Sequence, residues 1–154
     1  MKTVRRALCA LFTVGALCSG APLHAADHGV AQSKARATLP TFLSVWQQHP
    51  AGVGGYRVLV VVKQGEQSEA IWFDDFKAAS AGFQGILRVT PRVIKGLANG
   101  QTIPFTAADI VDWSYEDQAA GKLRGNYLQC ADLRDLPKAE YEEQLDYLGL
   151  ICQD

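Results

Sequence analysis

Apolar positions in this chain follow two rhythms, and their order predicts the architecture. Leu39, Phe42, Leu43 and Trp46 recur at i, i+3, i+4 and i+7, one face of a helix. Pro40 suits a first helical turn, so residues 26–38, polar and alanine-rich, would begin a helix that Pro40 interrupts or restarts. His49-Pro50, followed by Gly52, Gly54 and Gly55, ends it. Residues 56–63 then change period. Val58, Val60 and Val62 lie on one side and Leu59 and Val61 on the other, as in a central strand covered on both faces.

Gly65 permits a turn into residues 69–76, where Ile71, Trp72 and Phe73 form the second strand of a hairpin. A third strand is expected over residues 83–89, after the breaker at Gly82. Residues 90–100 read as a turn or short helix, and Asn99-Gly100 leads into an apolar run at 102–105. Residues 110–116 alternate, with Val111, Trp113 and Tyr115 on one side and Ile110, Asp112, Ser114 and Glu116 on the other. A last strand is expected over residues 124–133. Tyr141, Leu145 and Leu148 then return to helical spacing, with Glu140, Glu142 and Glu143 near the positive end of the helix dipole. Short turns join antiparallel neighbours. The expected fold is α+β: a curved antiparallel sheet of about six strands with N-terminal and C-terminal helices packed on it.

The first 25 residues change the picture. Lys2, Arg5 and Arg6 precede an apolar run at 7–17 that is short for a bilayer span, and Leu23-His24-Ala25 suits a signal peptidase. Residues 1–25 thus read as a cleavable signal peptide rather than an anchor, and residues 26–154 as one domain. Cys9 and Cys18 each follow a leucine, which argues against lipidation, and Arg5-Arg6 is a weak twin-arginine match. The implied location is periplasmic or secreted, with no stable membrane insertion after cleavage. Loss of this leader leaves 12 basic against 16 acidic residues, a net charge of −4, and no sign of a nucleic-acid partner. Cys130 and Cys152 then remain as an even pair, most simply a disulfide in an oxidising compartment, expected to fasten the C-terminal tail to the sheet.

Candidate chemistry is sparse. His28 and His49, the two histidines beyond the leader, lie in no nucleophile motif, and there is no metal-ligand spacing, phosphate loop or cofactor signature. Asp112 stands between large apolar residues, either half-exposed or buried with a partner such as Arg88 or Arg124. Trp72, Trp113, Tyr115 and Tyr127 are core candidates that, clustered at a surface, would suit recognition. The binding candidates are therefore Asp112, Trp113, Tyr115, Tyr127 and Trp72.

Several segments carry a resemblance: residues 35–42, Glu69-Ala70-Ile71-Trp72, Phe83-Gln84-Gly85, Ile110-Val111-Asp112-Trp113 and Gly125-Asn126-Tyr127. Over residues 31–133 the chain resembles the bacterial domain-of-unknown-function family 2314, the YegJ-like proteins. The resemblance implies a compact α+β domain, often exported, with no established activity. The resemblance implies, for many members of that family, an arginine after the Gly-Asn-Tyr segment where this chain has Cys130, so no role of that arginine transfers. Three functional expectations stand. The first is a non-catalytic module, of immunity or inhibitor type, binding a toxin or envelope enzyme; the second is a hydrolase using carboxylates such as Asp112 and Asp109 on a cell-wall or glycan substrate; the third is a small-ligand sensor with a pocket between helix and sheet.

Overall fold

The computed structural model describes residues 23–152. The signal peptide expected over residues 1–25 lies outside the described residues except for positions 23–25, which open the first helix. The elements are α1 (Leu23–Gln48), β1 (Val53–Gln64), β2 (Gln67–Phe73), β3 (Phe76–Ala79), β4 (Gly82–Ile86), β5 (Thr102–Phe105), β6 (Ile110–Asp117), β7 (Lys122–Gly125), α2 (Tyr127–Leu133), α3 (Lys138–Leu148) and β8 (Leu150–Ile151), with a single 3-10 turn at Ala107–Asp109. The chain is α+β, and its strands divide into two sheets. The larger has the order β2-β1-β6-β7-β8, antiparallel except for the β7–β8 pair, and the smaller the order β3-β4-β5.

α1 runs unbroken through Pro40. The proline and Arg36, whose carbonyl loses its helical donor, both lie on the exposed side, where water replaces the missing bond. The opposite face buries Ala31, Ala35, Leu39 and Phe42 against Val58, Val60 and Trp113 of the larger sheet. Phe42 stacks on Trp113 at 4.9 Å, and Trp46 stacks on Phe76 at 4.8 Å, so one helix joins both sheets into one core. Complete burial of one such aromatic contributes about 1.5–3 kcal/mol.

Residues 124–133 do not form the expected last strand. The strand ends at Gly125, and α2 follows at once. The apolar residues Tyr127, Leu128, Cys130 and Ala131 suit either period, and the backbone before them decides: Gly125 and Asn126 both have positive φ, +86° and +52°, which turns the chain out of the sheet. Cys130 and Cys152 stand at disulfide distance, with Cα atoms 5.6 Å apart, so the bridge joins the tail to α2, while β8 just before it pairs with β7 of the larger sheet.

Residues 87–101 form no helix. This loop is anchored by buried Leu87 and Ile94 and by Glu69 of β2, whose carboxylate accepts the backbone N–H groups of Arg92 (3.0 Å), Val93 (2.8 Å) and Ile94 (3.3 Å). These bonds, those from Arg92 and Val93 foremost, hold the Glu69 carboxyl below its ordinary range. A carboxyl whose folded pKa is lowered contributes stability above its unfolded pKa, and that contribution is lost as pH falls through the folded value. Glu69→Ala is therefore expected to open the loop locally. Native-state trypsin cleavage after Arg92 and Lys95 should rise at least tenfold at neutral pH while the global unfolding temperature changes little, and cleavage equal to wild type would contradict the anchor.

Candidate binding surface

Asp112 is 1 % exposed, and no arginine reaches it. Arg88 pairs with Asp75 at 2.8 Å and Arg124 with Asp117 at 2.8 Å. The partners of Asp112 are backbone groups instead: its carboxylate accepts the N–H of Trp113 (2.8 Å), Tyr127 (3.2 Å) and Leu128 (2.9 Å). The last two belong to the first turn of α2, whose donors have no partner within the helix. Asn126, at the N-cap position, makes no side-chain capping bond, so Asp112 caps the helix from a neighbouring strand. Burial pushes the Asp112 carboxyl above its ordinary range, and the N–H groups of Leu128, Trp113 and Tyr127 pull it back.

Trp113 completes the clamp. Its carbonyl accepts the N–H of Asn126 at 2.9 Å, its indole N–H donates to the Ala35 carbonyl of α1 at 3.0 Å, and its ring meets Tyr127 edge-on at 5.5 Å. Tyr127 is fastened to the same helix, accepting the Thr38 hydroxyl at 3.1 Å. A side chain at position 125 would overlap the Trp113 carbonyl and ring, so only glycine lets the two strands close here. The Asp112-Trp113 and Gly125-Asn126-Tyr127 segments thus form one interlocked unit.

A family model described as "Uncharacterized protein conserved in bacteria (DUF2314)" matches residues 27–150. The chain belongs to this family. No curated protein and no solved structure matches it. The DUF2314 match extends past residue 133 and takes in α3, so the C-terminal helix is part of the family domain.

In this DUF2314 domain the other sequence candidates separate. Trp113 and Tyr127 are interior, with 5 % and 6 % exposure. Tyr115 is half-buried in an aromatic row with Tyr56 and Phe42, at 6.3 and 6.5 Å. Trp72 lies on the opposite face of the larger sheet, half-exposed, with the Arg57 guanidinium 5.2 Å from its ring centroid. The pair of acids considered for hydrolysis is divided between two structural tasks. While Asp112 caps α2, Asp109 closes the 3-10 turn, accepting the Thr106 N–H at 2.8 Å and its hydroxyl at 2.7 Å, which lowers its pKa. Among the described residues no three His, Cys, Asp or Glu side chains group as a metal site, and no helix is long and apolar enough to cross a membrane.

A cleft of about 550 Å³ lies between the β6–β7 hairpin and the C-terminal end of α3. Glu116, Asp117, Lys122 and Asp146 line it beside Tyr147. Lys122 and Arg124 each neutralise one wall carboxylate, Asp146 and Asp117, and the paired acids have lowered pKa values. Tyr147 is 83 % exposed, the most exposed large apolar side chain described. Sequence reasoning passed over it, although the spacing held the signal: Tyr141, Leu145 and Leu148 define the inner face of α3, and Tyr147 falls off that face.

Proposed function

We propose that this DUF2314 protein is a non-catalytic interaction module of the cell envelope, of immunity or inhibitor type, that binds a basic protein through the α3 side of the domain. The observation that carries this reading is Tyr147, almost fully exposed on a helix whose outer face carries Glu140, Glu142, Glu143 and Asp146. An exposed tyrosine rim-fenced by acids is the kind of anchor that dominates protein interfaces, and the surrounding charge favours fast association with a basic surface. The leader and the Cys130–Cys152 pair support an oxidising location, periplasmic or secreted, for that encounter.

The test is site-specific photo-cross-linking in living cells, with the photoreactive residue at position 147 and, as control, at Val89, which is also exposed. A discrete adduct to one protein is expected from position 147 and none from 89, fading as salt is raised in the periplasmic extract. Tyr147→Ala should weaken binding of the captured partner about tenfold. No adduct at 147, or the same adduct from both positions, would remove this reading.

A further inference from the structure

The face of the larger sheet turned away from α1 carries a second cleft, about 320 Å³, lined by Gly55, Arg57, Asp74, Glu116 and Leu123. Register explains its make-up. Arg57 of β1 sits opposite Ser114 of β6, Leu59 opposite Trp72 of β2, and Ser114 opposite Gly125, which contributes no side chain. The floor is thus polar and low. Ser114 is wholly buried.

Arg57 is held in a fixed pose. Its Nε–H donates to Ser114 Oγ at 3.3 Å and its guanidinium lies over Trp72, which leaves the two terminal nitrogens free. No described carboxylate lies within ion-pair distance of it, although Glu116 and Asp74 line the same cleft. Glu116 is likewise without a cationic partner among the described residues, and its side chain packs so closely over Gly55 that a Cβ there would overlap its carboxyl group. Asp74 has only a 3.8 Å contact with Arg88. Arg57, positioned by Ser114 and Trp72, thus shares one small cavity with two carboxylates that it does not pair with in this structure.

From this geometry we infer that the cleft is a binding site for a small zwitterion, an amino acid or short peptide whose carboxylate meets Arg57 and whose ammonium group meets Glu116 and Asp74. A guanidinium offers a planar pair of donors matched to a carboxylate, and its stacking on Trp72 limits the side-chain entropy lost on binding. The volume is at the lower end for small-molecule sites, which fits one or two residues rather than a longer chain. This cleft shares Glu116 and Leu123 with the one beside Tyr147, whereas Arg57 and Asp74 line it alone, so Arg57→Gln and Tyr147→Ala tell the two assignments apart.

The experiment is titration of the full exported protein, isotope-labelled, with the dipeptide Ala-Ala and with free alanine, following the Trp72 indole resonance by NMR. Acetate and methylammonium serve as single-charge controls. A saturable shift is expected with the dipeptide or with alanine, the tighter of the two identifying the source, at concentrations at least tenfold lower than for either control. Arg57→Gln and, at the exposed wall, Glu116→Gln should each weaken the response at least tenfold while the rest of the spectrum keeps its dispersion. Glu116→Gln alone decides the matter if Arg57→Gln does not fold. Absence of saturation with both zwitterions, equal response to acetate, or unchanged binding by Glu116→Gln would overturn the assignment.

Discussion

Asp112→Ala is expected to destabilise the protein by about 3–5 kcal/mol, because it strands the backbone N–H groups of Trp113 and Tyr127, which are buried, and of Leu128, which is part-buried. Asp112→Asn separates shape from acceptance. An amide can keep one oxygen toward the N–H groups of Trp113 and Tyr127, but its NH2 then faces that of Leu128, a donor against a donor, for about 1–3 kcal/mol. Urea unfolding at pH 7 measures both, and a loss below about 1 kcal/mol for the alanine variant would refute the clamp. The pH dependence has a definite sign. A carboxyl whose folded pKa is raised stabilises the fold more as pH drops from the folded pKa toward the unfolded one, so the advantage over Asp112→Asn should widen in acid. Glu69, Asp109, Asp117 and Asp146, with lowered values, act in the opposite sense in both proteins and cancel in that difference.

Cys152→Ser is expected to free the C-terminal segment, edge strand β8 included, while the remaining strands stay paired. α3 has no buried residue. It is held by two residues of β8 beside β7, by buried Leu150, by the Leu123 N–H to the Gly149 carbonyl at 2.6 Å, by the Lys122–Asp146 pair, and by the bridge. A cross-link spanning 22 residues contributes about 3 kcal/mol through the unfolded chain, which outweighs the other holds on so exposed a helix. Hydrogen exchange followed by mass spectrometry should show protection lost over residues 138–152 and retained in β1 and β6. Uniform loss across the chain, or none, would contradict a latch acting on α3 alone. Because α3 carries Tyr147, the same variant should lose the partner adduct, which ties the proposed binding face to the redox state of one cysteine pair.

Much of this architecture was legible in the order of residues. The heptad-like face of α1, the double-sided valines of β1, the hairpin into β2, the alternation of β6 and the face of α3 each rest on a local period, and each formed. α2 did not announce itself, since its short apolar stretch fits a strand equally well and its start depends on two positive φ angles and on a carboxylate 15 residues earlier. β3 is four residues long, too short for a period, and the division into two sheets is decided by how Trp46, Phe76, Phe83 and Phe105 pack. Asp112 stands out in the sequence as an acid between large apolar residues, yet its partners are backbone groups rather than an arginine, and backbone groups look the same at every position in a sequence. Arg57 escaped notice for a related reason: only strand register brings it between Trp72 and Ser114.

Amide hydrogen exchange at Tyr127 and Leu128, compared between the wild-type protein and Asp112→Asn under native conditions, tests the clamp most directly. In the wild type both amides should exchange only through global unfolding, and in the variant Leu128 should exchange at least tenfold faster than the shared drop in stability explains. Equal local protection of Leu128 in the two proteins would contradict the clamp.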